Sequence, residues 1–271
     1  MVTKAITAAT VGINAYKIEV EVDVTNSLPG ISIVGLPDNS VNEARERVHS
    51  AIKNSGFTFP LGKVIVNLAP ADIRKEGTNF DLPIAIGILK EQGINIPDNL
   101  NMAFLGELSL DGSLRTVNGV LPLVLGLKEQ GATSVFVPEQ NAKEAALVQG
   151  IKVFGAKHLV DVVAHFEGNP INETVVDIKK YLEENALTDY SFDFKDVKGQ
   201  QKAKKALEIA AAGAHNILMS GSPGSGKTMM AKCMASILPP LELQEALELT
   251  KIYSICGLLS ADKPLMTKRP Y

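Results

Sequence analysis

Eight consecutive residues carry the most specific chemistry in this chain: Gly221, Ser222, Pro223, Gly224, Ser225, Gly226, Lys227 and Thr228. They meet the phosphate-binding pattern G-x-x-x-x-G-K-[ST] at every position. The glycines let the backbone fold tightly around an anion and aim its N–H groups inward. The Lys227 ammonium is suited to the β- and γ-phosphates of ATP, and the Thr228 hydroxyl to the Mg²⁺ ion that accompanies them.

Such a loop needs a strand before it and a helix after it. Residues 216–220, Asn-Ile-Leu-Met-Ser, form a short apolar run of strand length. Residues 227–238 have helical composition and stop at Pro239-Pro240. The N-terminus of that helix adds partial positive charge where the phosphates would sit.

Composition bounds the rest. A length of 271 residues suggests about two domains. With 45% hydrophobic and 21% charged residues the chain can bury a core, which excludes global disorder. The net charge of −3 does not announce a nucleic-acid or anionic-membrane binder, and Lys202, Lys204 and Lys205 read as a solvated helix face. Two cysteines, Cys233 and Cys256, are too few for a disulfide framework. The four histidines at 49, 158, 165 and 215 lack zinc-site spacing, and His158 and His165 read as packing or surface residues. The start has no signal-peptide core, and the longest apolar stretch, 82–89, is too short to span a bilayer. A reducing cytoplasm is the expected compartment, with no membrane partner.

Along the first part, strand and helix patterns alternate. Residues 17–24 place Ile18, Val20, Val22 and Val24 on one face and charged residues on the other, a half-buried strand. Strands are also predicted at 31–34, 63–68, 134–137 and 151–154. Ser40-Val41-Asn42-Glu43 reads as a capping box opening a helix that buries Val41, Ala44, Val48 and Ile52 and stops near Gly56. Further helices are predicted at 81–92, 120–130, 141–149 and 157–165, and Asp111-Gly112 reads as a hairpin turn. Residues 166–170 break the pattern. The predicted organisation is a first domain over 1–168, a charged connector over 169–190, and a second module over 191–271 that opens with an alanine-rich helix, Gln201–Ala212.

Several segments resemble the YifB/ComM family of magnesium-chelatase-like AAA+ ATPases. They are Val-Gly-Leu-Pro-Asp (34–38), Glu-Ala-Arg-Glu-Arg-Val (43–48), Val-Asn-Leu-Ala-Pro-Ala-Asp (66–72), Lys-Glu-Gly-Thr-Asn-Phe-Asp-Leu-Pro-Ile-Ala (75–85) and Gly-Glu-Leu-Ser-Leu-Asp-Gly (106–112). Val-Lys-Gly-Gln (197–200), the loop at 221–228 and Thr-Lys-Ile-Tyr-Ser (250–254) extend the likeness across the chain. The resemblance implies an α/β protein: a Lon-protease-like α+β N-terminal domain followed by the first part of a P-loop AAA+ α/β domain. It further implies ATP and Mg²⁺ as cofactors, assembly with itself into a ring, a hexamer when complete, and DNA as a partner of the full-length protein. The implied work is DNA processing, such as branch migration that helps take up and recombine single-stranded DNA. Two other readings stay open, a chelatase-like subunit that drives metal insertion and an ATP-switched scaffold without catalysis.

The Lon likeness raises peptide cleavage by a Ser–Lys dyad. In Lon-like enzymes the serine lies in an Asp-Gly-Pro-Ser segment; the similar segment Glu76-Gly77-Thr78-Asn79 puts Asn79 there. The dyad lysine follows a Gly-Leu pair, and the matching run Gly119-Val120-Leu121 puts Leu121 there. An amide cannot attack and a leucine cannot take a proton, so the implied domain is a protease fold without protease chemistry. Only 43 residues follow Thr228, and no apolar run ending in Asp-Glu lies among them. By family standards a truncated chain is expected, holding the phosphate loop without the catalytic parts beyond it.

Overall fold

The computed structural model describes residues 2–98, 101–186 and 192–270. They divide into two units, Met1–Val176 with Thr250–Leu265, and Asp177–Leu249 with Met266–Tyr271.

The first unit is built on a seven-stranded mixed sheet. Its strands are β1 (Thr3–Val11), β2 (Asn14–Thr25), β3 (Gly30–Val34), β4 (Lys63–Ala69), β5 (Met102–Phe104), β8 (Ser134–Pro138) and β9 (Lys152–Ala156), in the order β3-β4-β2-β1-β5-β8-β9. A separate hairpin joins β6 (Glu107–Leu108) to β7 (Leu114–Arg115) across the turn that holds Asp111-Gly112. β2 runs antiparallel to both β1 and β4, while the other four pairings are parallel. This is the α/β architecture the alternating pattern predicts.

The helices are α1 (Asn39–Asn54), α2 (Asp81–Glu91), α3 (Val120–Glu129), α4 (Ala142–Ala145) and α5 (Leu159–Phe166). Ile18, Val20 and Val22 of β2 share one core with Val41, Val48 and Ile52 of α1, nearly all of α2, and Leu159, Val162 and Val163 of α5. β1 is covered on both faces: Ala5 and Ala9 join that core, whereas Thr10 approaches Gly119 at the start of α3. A strand buried on both sides loses the alternation that betrays a strand, so β1 has no clear period in the sequence.

The start of α1 differs from the expected capping box. Asp38, not Ser40, caps the helix: its backbone is extended and its carboxylate accepts from the Val41 N–H at 2.8 Å. Ser40 and Glu43 already lie inside the helix, so they cannot close its end. The reciprocal box occurs instead at α5, between His158 and Asp161. His165 packs its ring edge-on against Phe136 and Phe154.

Two family segments are locked together by an ion pair whose carboxylate is fully buried. Arg47 on α1 donates from Nε to Asp81 Oδ2 at 2.6 Å and from Nη2 to Asp81 Oδ1 at 2.9 Å. The Leu108 N–H donates to Asp81 Oδ2 at 3.1 Å, which ties the small hairpin to the start of α2. Burial pushes the Asp81 carboxyl up, and the Arg47 guanidinium opposes that push.

The second unit holds α6 (Ile178–Ala186), α7 (Gln201–Ala212) and α8 (Lys227–Met234). α9 (Leu243–Ile255) starts in it and passes at Thr250 into the first unit. Among the described residues of this unit there is no strand. The run 216–220 is coil, which corrects the strand expected there. A strand needs a neighbour to satisfy its N–H and C=O groups, and none is present among those residues.

Candidate nucleotide site

The loop at 221–228 is held by helices on a small core. Phe194, Val197, Leu207, Met230 and Cys233 form that core, with Met219 packed against it from the segment before the loop. A single turn of 3₁₀ helix over Phe194–Asp196 enters it. The Phe194 N–H donates to Ser236 Oγ at 2.9 Å, and the Lys204 ammonium lies 5.2 Å from the Phe194 ring centre while donating to Val197 O. Lys204 is thus a packing residue.

The loop then turns into α8 through Gly226, whose φ of 83° lies in the left-handed region, as does Gly224 at 78°. A Cβ at either glycine would meet nothing within 4 Å, so the demand is on the backbone and not on space. Met230 N–H donates to Gly226 O at 2.9 Å, the first full bond of the helix. The N–H groups ahead of it are the orphans that a helix start leaves for an anion. Thr228 is exposed at the second position of α8.

Lys227 closes the loop on itself. Its Nζ donates to Gly221 O at 3.0 Å, to Ser222 O at 2.9 Å and to Ser225 Oγ at 3.3 Å. The ammonium is therefore held over the loop's concave side, where a phosphate could exchange for these carbonyls. A cavity of about 440 Å³ adjoins the loop, lined by Gly224, Gly226 and Met229 on one side and by Asp196, Val197 and Gln200 on the other. The sequence flagged the segment 197–200 but gave it no role. Gln200 sits at φ 53°, a left-handed value rare outside glycine, so nothing in its identity marks the turn that brings it to the loop.

Gathered in this way, the residues fit a magnesium nucleotide: backbone donors and one ammonium for phosphates, a hydroxyl for the ion, and a cleft for the rest. No group of three or more His, Cys, Asp or Glu side chains among the described residues could hold a metal by itself. The metal would then arrive with the phosphates, the loop supplying one hydroxyl.

The two dyad positions have packing work. Asn79 is buried before α2, and its Nδ2 donates to Ala8 O on β1 at 2.9 Å. Leu121 is fully buried in the first turn of α3, and its N–H donates to Glu144 Oε1 at 2.8 Å. Glu144 also accepts from Ser254 Oγ, and burial pushes its carboxyl up against those bonds. Lys75, four residues before Asn79 in the chain, is fully buried with its ammonium on Pro70 O, and desolvation holds its pKa below the ordinary lysine range.

Comparison with known proteins defines the class. Residues 20–141 match the family described as subunit ChlI of Mg-chelatase, and residues 193–271 match magnesium chelatase, subunit ChlI. The molecule is a ChlI-like AAA+ protein. It is 43% identical over 258 residues to YifB of Salmonella typhimurium, covering 95% of this chain and 50% of that one. It is 41% identical over 248 residues to the competence protein ComM of Haemophilus influenzae, covering 91% and 48%. Over 130 residues it is 28% identical to Lon protease 2 of Bacillus subtilis, covering 47% of this chain and 23% of that one. The chain belongs to the YifB/ComM family of magnesium-chelatase-like proteins. It spans about half the length of the curated relatives it matches. Among the described residues no helix is long and apolar enough to cross a membrane.

Proposed function

We propose that this chain is the ATP-binding part of a ring-forming AAA+ motor that processes DNA in the cytoplasm. The observation that carries the nucleotide half is the Gly221–Thr228 loop, with Lys227 folded over it and a cleft beside it. ATP with Mg²⁺ is the ligand, with Thr228 on the ion. The DNA half draws its support from the likeness to a competence protein. In this reading 1–168 is a Lon-like domain with no peptidase activity, since Asn79 and Leu121 stand at the dyad positions. Residues 169–190 form a connector, and 191–271 are the start of the AAA+ domain, whose full-length form assembles as a hexamer.

The test has two arms. Nucleotide at about a hundredfold excess over its Kd should stabilise the chain by about 2.7 kcal/mol, and Lys227→Ala should abolish that thermal shift. An unchanged shift in the variant overturns the site. The full-length protein should show ATPase activity stimulated by branched DNA. The matching family description favours a second reading, a subunit that drives metal insertion. It moves ahead if DNA gives no stimulation.

A further inference from the structure

In the first unit a cavity of about 550 Å³ lies beside β3, an outermost strand of the sheet, a volume suited to an organic ligand. Its walls are α1, the start of β3 and the loop leading into β4. α1 contributes Arg45, His49 and Lys53. Each follows the last by four residues, so they form one stripe along the helix, while Val41, Ala44, Val48 and Ile52 are turned into the core. Across from the stripe stand Phe59 and the almost fully exposed Leu61. The His49 and Phe59 rings meet edge to face with centroids 4.6 Å apart.

The charge of this groove is one-sided. Glu46 is the only carboxylate among its lining residues. Arg45 spends its Nε on Asn42 O of its own helix, and among the described residues neither Arg45 nor Lys53 is ion-paired. Two free cations beside an aromatic pair are the elements that hold a single nucleic-acid strand, with cations on phosphates and a ring against a base. Arg45 and Lys53 are about 12 Å apart along the helix axis. That spacing suits different phosphates of one strand better than the single phosphate of a mononucleotide.

We propose that this groove binds single-stranded DNA, with phosphates on Arg45 and Lys53 and a base against the Phe59–His49 pair. The choice of DNA rests on the motor reading above; the groove's chemistry calls for an anionic strand with planar bases. The groove shares no residue with the phosphate loop and would give the N-terminal domain a task of its own.

The experiment is fluorescence anisotropy with a labelled oligothymidylate, using the 271-residue chain carrying Lys227→Ala so that the loop is silent. Binding should persist in that background. Arg45→Ala and Lys53→Ala each remove one phosphate contact, so each should lower the slope of log K against log salt by about 0.7. The double variant should bind at least about tenfold more weakly at low salt. Both side chains are exposed, so the variants keep the fold, which far-UV circular dichroism checks. Thymidine monophosphate at equal nucleotide concentration should not compete. Unchanged affinity and slope in the double variant overturn the proposal. So does displacement by polyglutamate as efficient as by unlabelled oligonucleotide, which would assign the groove to an acidic peptide, and so does equal competition by the mononucleotide. DNA-stimulated ATPase of the full-length protein is read separately. Its absence alongside intact oligonucleotide binding counts against the motor and leaves the groove standing, and the reverse result counts against the groove alone.

Discussion

Leu82 and Leu218 both sit in apolar runs, yet Leu82 is fully buried and Leu218 is 94% exposed. Leu82 lies in the first turn of α2, against a sheet whose strands satisfy one another's backbone groups. Leu218 lies in the segment before the phosphate loop, in a unit with no strand among its described residues and a core of five buried side chains. The contrast teaches that an apolar run is buried only where a sheet or a core waits to receive it, and the run at 216–220 has no partner strand among the described residues. Among the described residues the phosphate loop stands without one, and two left-handed glycines, the first turn of α8 and the Lys227 bonds shape it locally.

The largest effect should come from breaking the sheet unit at the Arg47–Asp81 ion pair. Asp81→Ala removes the buried carboxylate and leaves the part-buried Arg47 guanidinium with Glu43 and Ser40 O, and should cost about 1.5–3 kcal/mol, measured by urea denaturation. A loss near zero would show that the unit does not rely on this clamp. In the loop, Gly226→Ala forces a Cβ into the left-handed region and should cost roughly 1–2 kcal/mol, with the nucleotide-induced thermal shift lost as well. If the shift survives, the loop's shape is not set by that glycine.

Glu144 sharpens the comparison through pH. Burial raises its folded-state pKa above that of an unfolded glutamate, so the folded chain holds the proton to higher pH. The associated stability is fully present below the ordinary glutamate range and is lost as pH rises through the raised value. Glu144→Gln should flatten that stretch of the stability curve, and an unaltered slope would place the titration elsewhere. The smallest effect is expected at Leu218: Leu218→Ser should change stability by no more than about 0.5 kcal/mol. A larger loss would mean that Leu218 is covered in solution.

Much of the sheet unit was legible because its patterns are local. Ile18, Val20 and Val22 alternate, and Val41, Ala44, Val48 and Ile52 recur at helical spacing. β1 was not legible, since Ala5 to Ala9 are buried on both faces and show no period. The cap moved from Ser40 to Asp38 because the choice depends on where the backbone leaves β-geometry, which the next few residues decide. The Arg47–Asp81 pair joins residues 34 positions apart, beyond any local signal. In the phosphate loop the glycines and Lys227 announce themselves by type. The cleft beside it does not, because it depends on Gln200 adopting a backbone conformation that its side chain disfavours.

One feature of the sheet bears on how the protein behaves at high concentration. β3 is an outermost strand, and the described residues place no strand on its far side. An open row of N–H and C=O groups is a template on which a second chain can add. Here the row is five residues long. Pro29 stands just before it with no N–H to offer, and Gly35 at φ 101° turns the chain away just after it. A Cβ on Gly35 would come within 2.2 Å of Leu68 O, so no other residue fits that turn without displacing β4. Gly35 thereby limits the surface on which molecules could stack edge to edge.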